Sequence, residues 1–297
     1  MNKENNNVQT VSTEVYEKNR SVRGCIATAW RWWCVNGSRL WRSAWCPVVL
    51  LALSVALHTL AHGGKDLSDD TPRLILSVVA AVVMLAAGTW ALARVMNILN
   101  QEGRRPNLRR AAVATAACLV GTAVVTGIIY GIMALCGTET ADMPWWLAHI
   151  VAAVVLTLIT LPLSAYNMAY MARANRPYLN GLGSGLWTAL RHYGFLFMLT
   201  VLLGTMLLIV TAVVLLPLVI LGMANDASVQ GVVGGDPSGM PASMAWVGAI
   251  VAAIVTLILW YMWQLMTVAL YYATGSVRWR EARRRNMTTT DDTDQEQ

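Results

Sequence analysis

Apolar runs, most of them longer than the roughly 18 residues that suggest a bilayer span, alternate along this chain with short polar segments that carry nearly all of its charge. The alternation predicts six transmembrane helices, over about residues 47–62, 74–99, 111–136, 145–171, 194–222 and 245–273. The first of these reaches full length only if it begins near Leu40. Arg105-Pro106-Asn107-Leu108, between the second and third runs, is echoed by Arg176-Pro177-Tyr178-Leu179 between the fourth and fifth. A motif repeated at matching places predicts a repeated structural unit. The fold expected is therefore an all-α membrane bundle of three helical hairpins.

Two segments carry a different pattern. From Cys25 to Trp45, the residues Ile26, Trp30, Trp33, Leu40, Trp41 and Ala44 fall mostly at steps of three or four, with Arg31, Arg39 and Arg42 interleaved. That spacing predicts an amphipathic helix over about residues 25–45, lying in the headgroup layer on the cytoplasmic side. Gly37 is expected to break it. Leu179, Leu182, Leu186, Leu190 and Tyr193 repeat the spacing and predict a second interfacial helix before the fifth span. Residues 1–24 and 286–297 are polar and lack apolar periodicity, so both are expected to be disordered tails around a membrane domain at 25–285. The segment 223–243, rich in Gly, Ser and Asp, reads as a flexible solvent-facing loop. No cleavable signal peptide stands out before the first apolar run.

Charge orients the bundle. Lys and Arg are retained on the cytoplasmic face, and with six spans and both termini inside, only Lys65 and Arg73 of the 22 basic residues fall outside. Five or seven spans would move the C-terminal arginines or a linker outward. The localisation this predicts is multi-pass in a bacterial-type inner membrane, with both termini cytoplasmic.

Composition agrees with the membrane class. The 297 residues are 56% hydrophobic and 13% charged, with a mean hydropathy of +0.50. The five cysteines, Cys25, Cys34, Cys46, Cys118 and Cys136, are odd in number and lack paired spacing, so neither a disulfide framework nor a zinc site is indicated. A pI near 9.2 is compatible with nucleic-acid binding, but the basic residues flank apolar spans and the membrane surface accounts for them better.

Candidate chemistry is sparse. No Asp, Glu or Lys lies in a span core, which disfavours a carboxylate proton relay. Pro162 and Pro217 interrupt spans, and broken helices in transporters line substrate sites. Thr160, Pro162, Asn167, Pro217 and Gln264 are thus candidates for a cavity, the alternative being that Ser and Thr satisfy the carbonyls freed by proline. His58 and His62 lie one helical turn apart, as two ligands of a divalent metal would, and His149 falls on the same outer side. The competing reading makes all three interfacial histidines. No serine or cysteine has a His and carboxylate setting, and no cofactor motif is present, which points away from an enzyme.

LITLPLSAYNMAYMARANRP, at the fourth span, and WQLMTVALYYATGSVRWREARR, at the end of the sixth, resemble helix ends in a group of bacterial six-span proteins. The group includes the membrane domain that accompanies some glycerophosphoryl diester phosphodiesterases. An intramembrane proline and an aromatic, Arg-bearing exit such as Tyr271, Tyr272, Arg278 and Arg280 are the shared features. The resemblance covers about residues 40–285 and implies the six-span fold. It carries over no catalytic residue, because phosphodiesterase chemistry in that group belongs to a separate soluble barrel.

The function predicted is a non-enzymatic multi-pass protein that meets lipids or protein partners at a basic cytoplasmic face. Trp30, Arg31, Trp33, Arg39, Trp41, Arg42, Arg105, Arg176 and Trp187 are the residues expected to make those contacts. The partners implied are the lipid bilayer and either another membrane protein or further copies of this chain, without nucleic acid and without a cofactor. The alternative is a small-solute transporter or channel with its path near Pro162 and Pro217.

Overall fold

The computed structural model describes residues 16–63, 70–101, 103–136, 145–172, 177–234, 241 and 243–295. Among them are seven helices and no strand: α1 (Val22–Gly63), α2 (Asp70–Asn100), α3 (Arg104–Cys136), α4 (Trp145–Ala172), α5 (Tyr178–Arg191), α6 (Tyr193–Val233) and α7 (Ser243–Gln295). All except α5 contain a window long and apolar enough to cross a bilayer. The chain is therefore a multi-pass α-helical membrane protein, as the apolar pattern predicts. The short α5 is the linker helix that the leucine spacing after Pro177 predicts.

Three helices run further than the sequence indicates. α1 is continuous for 42 residues, about 63 Å at 1.5 Å per residue, so Gly37 does not break it and Pro47 does not restart it. The reason is a long-range contact. A methyl group at Gly37 would collide with the Tyr261 hydroxyl, and the Trp33 indole donates to the Tyr261 carbonyl at 3.2 Å with the two rings 4.8 Å apart. Gly37 is a notch that admits a tyrosine. A glycine inside a helix costs only about 0.5–1 kcal/mol relative to alanine, which such packing offsets. α6 continues beyond Gly222 to Val233, into the segment read as a loop. α7 continues beyond Ala273 to Gln295, through residues for which disorder is expected.

The chain divides into two compact units, one of Met1–Trp32, Met96–Leu202 and Met266–Gln297, the other of Trp33–Val95 and Leu203–Leu265. The second unit is centred on Ala44, Val48 and Ala91, fully buried, with Leu257 and Trp260 packed over them. Small side chains at such contacts let helix backbones approach, the main route to association where lipid supplies no hydrophobic drive. Trp263 adds a hydrogen bond to the Thr211 hydroxyl at 3.1 Å. On α6, Leu203 and Leu207 are buried, whereas Ile209, Val213 and Ile220 are all more than 60% exposed. Apolar side chains presented outward at that density suit hydrocarbon and not water.

In the first unit the segment before α1 is strapped to α7. Tyr16 is buried with its ring 4.6 Å from Tyr271. Ser276 donates to the Lys18 carbonyl at 2.9 Å, and Arg280 donates to the Asn19 side chain at 3.1 Å and to the Arg20 carbonyl at 2.8 Å. Ser21 then caps α1, its hydroxyl accepting from the Gly24 amide at 3.2 Å.

Candidate functional site

A cavity of about 400 Å³ in the first unit is framed by the C-terminal half of α4, by α5 and by α7. Its construction begins with two glycines one turn apart on α5. Gly181 and Gly185 leave the helix surface flat, and the Tyr166 ring of α4 occupies the space that a Cβ at Gly185 would need. Tyr166 donates its hydroxyl to the Tyr178 carbonyl in the first turn of α5. The Tyr178 hydroxyl donates in turn to Asn167 Oδ1 at 2.6 Å, and Asn167 Nδ2 donates to the Ala114 carbonyl at 3.3 Å and to Cys118 Sγ at 3.0 Å. Burial above all, with additions from Tyr166, Cys118 and Tyr170, pushes the Tyr178 hydroxyl up to about 12. It therefore keeps its proton at physiological pH and remains the donor in this chain of bonds.

Charge reaches the cavity from α7. Arg278 donates through Nη2 to the Ala169 carbonyl at 2.7 Å, near the C-terminus of α4, where the helix dipole favours a cation. The side chain is half-buried. Among the described residues no carboxylate lies within ion-pair distance of it; the nearest acid in sequence, Glu281, pairs with Arg191 at 3.5 Å and with His192 at 3.3 Å. Arg285 also lines the cavity. The hydroxyls of Ser184, Thr188 and Thr274 donate back to helix carbonyls, so the Arg278 guanidinium is the main charged donor the cavity offers. Ala169, Tyr170 and Ala282, which are part-exposed or exposed, provide an apolar side, backed by the buried Leu196 and Val277.

The other repeat of the motif builds a hub of its own. Asn107, only 1% exposed, exchanges two reciprocal amide hydrogen bonds of 2.9 Å with Asn100 and donates to Asn97 Oδ1 at 2.6 Å. Asn100 also donates to the Met171 carbonyl at 3.3 Å. Asn107 and Tyr178 thus follow the prolines of the two echoed motifs, and each reaches back to an asparagine near the end of the preceding helix. The sequence reading did not assign these roles, nor that of Arg278. The signal was available in the repeat, because both hubs occupy the position after proline.

The residues expected to meet lipid or partners are mostly on the surface. Trp30 and Trp41 are 45% and 42% exposed, Arg31, Arg39 and Arg42 are exposed along the same helix, and so is Arg105 in the first turn of α3. Trp33 is half-buried against Tyr261. Trp187 is 65% exposed on α5, with Leu179 and Leu190 also exposed. Arg176 lies outside the described residues.

Of the residues suggested for a cavity, Thr160, Pro162 and Asn167 belong to the first unit, and Pro217 and Gln264 to the second. None of them lines the cavity described above. Thr160 bonds the Leu156 carbonyl at 2.8 Å. Pro162 is buried inside α4, and the Leu158 carbonyl that its missing amide frees accepts a hydrogen bond from Tyr193 at 3.1 Å. Pro217 is exposed. Gln264 is buried, its amide nitrogen donating to the Trp260 carbonyl at 3.1 Å, while its Oε1 has no hydrogen-bond partner among the described residues.

For the metal reading, His58 shares a hydrogen bond of 3.2 Å with Ser77, and the side chains of His62 and His149 lie outside the described set. Among the described residues no three His, Cys, Asp or Glu side chains are grouped to hold a metal ion. No family model, curated protein or solved structure matches the chain.

Proposed function

We propose that this multi-pass protein is non-enzymatic and works at the membrane surface through anionic lipid headgroups, with both termini and its Arg-bearing linkers on the cytoplasmic side of a bacterial-type inner membrane. One observation carries the reading: α1 is about 63 Å long, roughly twice the hydrocarbon thickness of about 30 Å, and Trp30, Arg31, Arg39, Trp41 and Arg42 are exposed on the half outside the apolar run. The run from Pro47 to Gly63, about 25 Å at 1.5 Å per residue, takes up most of the hydrocarbon, which places Trp41 and Arg42 at its edge and Trp30, Arg31 and Arg39 at headgroup depth or beyond. Indole rings are stable in that layer, and guanidinium groups pair with phosphate in a planar fork. The exposed Leu179, Trp187 and Leu190 of α5 suit insertion at the same level.

The proposal is tested in nanodiscs of mixed phosphatidylglycerol and phosphatidylcholine, by measuring the lipid composition retained around the purified protein. Each basic residue near an anionic surface contributes about 1 kcal/mol. Arg31→Gln, Arg39→Gln and Arg42→Gln together forfeit about 3 kcal/mol and are therefore expected to remove most of the phosphatidylglycerol enrichment. A wild-type protein that shows no enrichment over the bulk composition overturns the reading.

A further inference from the structure

We infer that the cavity between α4, α5 and α7 binds the phosphate of an anionic ligand that carries an apolar tail. The inference rests on the headgroup reading above and deepens it, by naming a single built pocket and the group it takes. Electrostatics provides the first argument. Arg278 is half-buried, donates to one carbonyl, lies over the Tyr16 ring with its guanidinium carbon 6.0 Å from the centroid, and has no carboxylate within ion-pair distance among the described residues. A guanidinium carries five N–H donors, so the bond to Ala169 leaves most of its fork uncommitted. Arg285 adds positive charge at the rim, and no acidic residue lines the cavity among the described residues.

The second argument is the identity of the remaining lining. The hydroxyl protons of Ser184 and Thr188 are used on helix carbonyls, so a neutral polar ligand would find few donors, whereas a phosphate is met by the fork of Arg278, with the charge of Arg285 nearby in the lining. Arg pairs with phosphate through two parallel hydrogen bonds, giving orientation as well as attraction. Ala169, Tyr170 and Ala282, none of them buried, offer an apolar surface within the same cavity, which a free inorganic ion would not use and an acyl or alkyl chain would. The volume, about 400 Å³, falls in the range of about 300–1,000 Å³ usual for small-molecule sites. Two sources share this chemistry: an anionic phospholipid of the bilayer, and a soluble phosphate ester.

The test uses the full chain in a neutral detergent, with fluorescently labelled phosphatidylglycerol as probe, labelled phosphatidylcholine as the zwitterionic comparison, and inorganic phosphate as competitor. Wild type is expected to bind phosphatidylglycerol saturably and to prefer it over phosphatidylcholine. Arg278→Gln should weaken that binding at least about tenfold, since hydrogen bonds to charged groups are the strong ones, and Arg278→Lys should fall between, keeping the charge and losing the fork. Arg285→Gln, at an exposed position, should weaken it several-fold and separates loss of the site from any folding defect of Arg278→Gln. The triple α1 variant should leave this binding unchanged while lowering nanodisc enrichment, so the two readings fail independently. Displacement of the probe by inorganic phosphate, dependent on Arg278, supports a phosphate site and identifies the soluble source; its absence, with lipid binding intact, identifies the lipid. Equal phosphatidylglycerol affinity in wild type, Arg278→Gln and Arg285→Gln, or equal binding of the two lipids, overturns the inference.

Discussion

Tyr193→Phe deletes one hydroxyl whose partner exists only because of a proline. Pro162 has no amide proton, so the carbonyl of Leu158, four residues before it in α4, lacks its helical donor. Tyr193 fills that vacancy at 3.1 Å. Removing the hydroxyl leaves the carbonyl unsatisfied in apolar surroundings, at a cost of about 1–3 kcal/mol. With a few degrees of melting temperature per kcal/mol, a drop of about 4–8 °C is expected for a midrange cost. Pro162→Ala restores an amide at position 162 that donates to the same carbonyl. In that background Tyr193→Phe should cost less than about 0.5 kcal/mol, because the carbonyl is already paired. The four proteins form a double-mutant cycle in which the separate effect of losing the proline cancels. Thermal unfolding of the full chain in one detergent, followed by tryptophan fluorescence, reads all four corners. Equal destabilisation by Tyr193→Phe with and without Pro162 would refute the reasoning.

Further consequences concern the other polar contacts of the first unit. Asn107→Ala removes three amide hydrogen bonds to Asn97 and Asn100, and should destabilise by about 2–4 kcal/mol given the cost of stranding buried partners; unfolding within about 0.5 kcal/mol of wild type would remove the hub from the account. Arg280→Gln loses the bonds to Asn19 and to the Arg20 carbonyl, so limited trypsin digestion should cut at Lys18 and Arg20 several-fold faster at native temperature, and an unchanged rate would count against the strap. Tyr178 is raised from an ordinary value of about 10 to about 12 in the folded protein. The folded state thus holds this proton more tightly, and the stabilisation is complete below about pH 10 and is lost as pH rises through about 12. The melting-temperature gap between wild type and Tyr178→Phe should narrow over that interval, and a constant gap would contradict the assignment.

The spans and the linker helix were legible because each follows from a local rule. A bilayer demands about 20 apolar residues in series, and an amphipathic helix repeats its leucines every three or four positions. The continuity of α1 was not legible, since it depends on Tyr261 fitting at Gly37 from 224 residues away in the chain. The echo around Pro106 and Pro177 was visible as a repeat. What it could not show is that the residue after each proline turns inward, because asparagine and tyrosine at the start of a helix are equally at home in solvent. Arg278 read as one more arginine that stops a span. Its partner is a backbone carbonyl of α4, and a carbonyl leaves no mark in a sequence. The cavity escaped for the same reason: glycines at positions 181 and 185 look like helix weakeners until an aromatic ring is seen lying across them.

The proposed lipid face requires the Arg-bearing linkers to face the cytoplasm. The most direct test is the labelling of a single cysteine at position 180, an exposed site on α5, made as Asn180→Cys in a chain whose five native cysteines are replaced. A membrane-impermeant maleimide should fail to react in intact cells and should react fully in inverted membrane vesicles. Labelling from the outside of intact cells would contradict the orientation and, with it, the proposed lipid face.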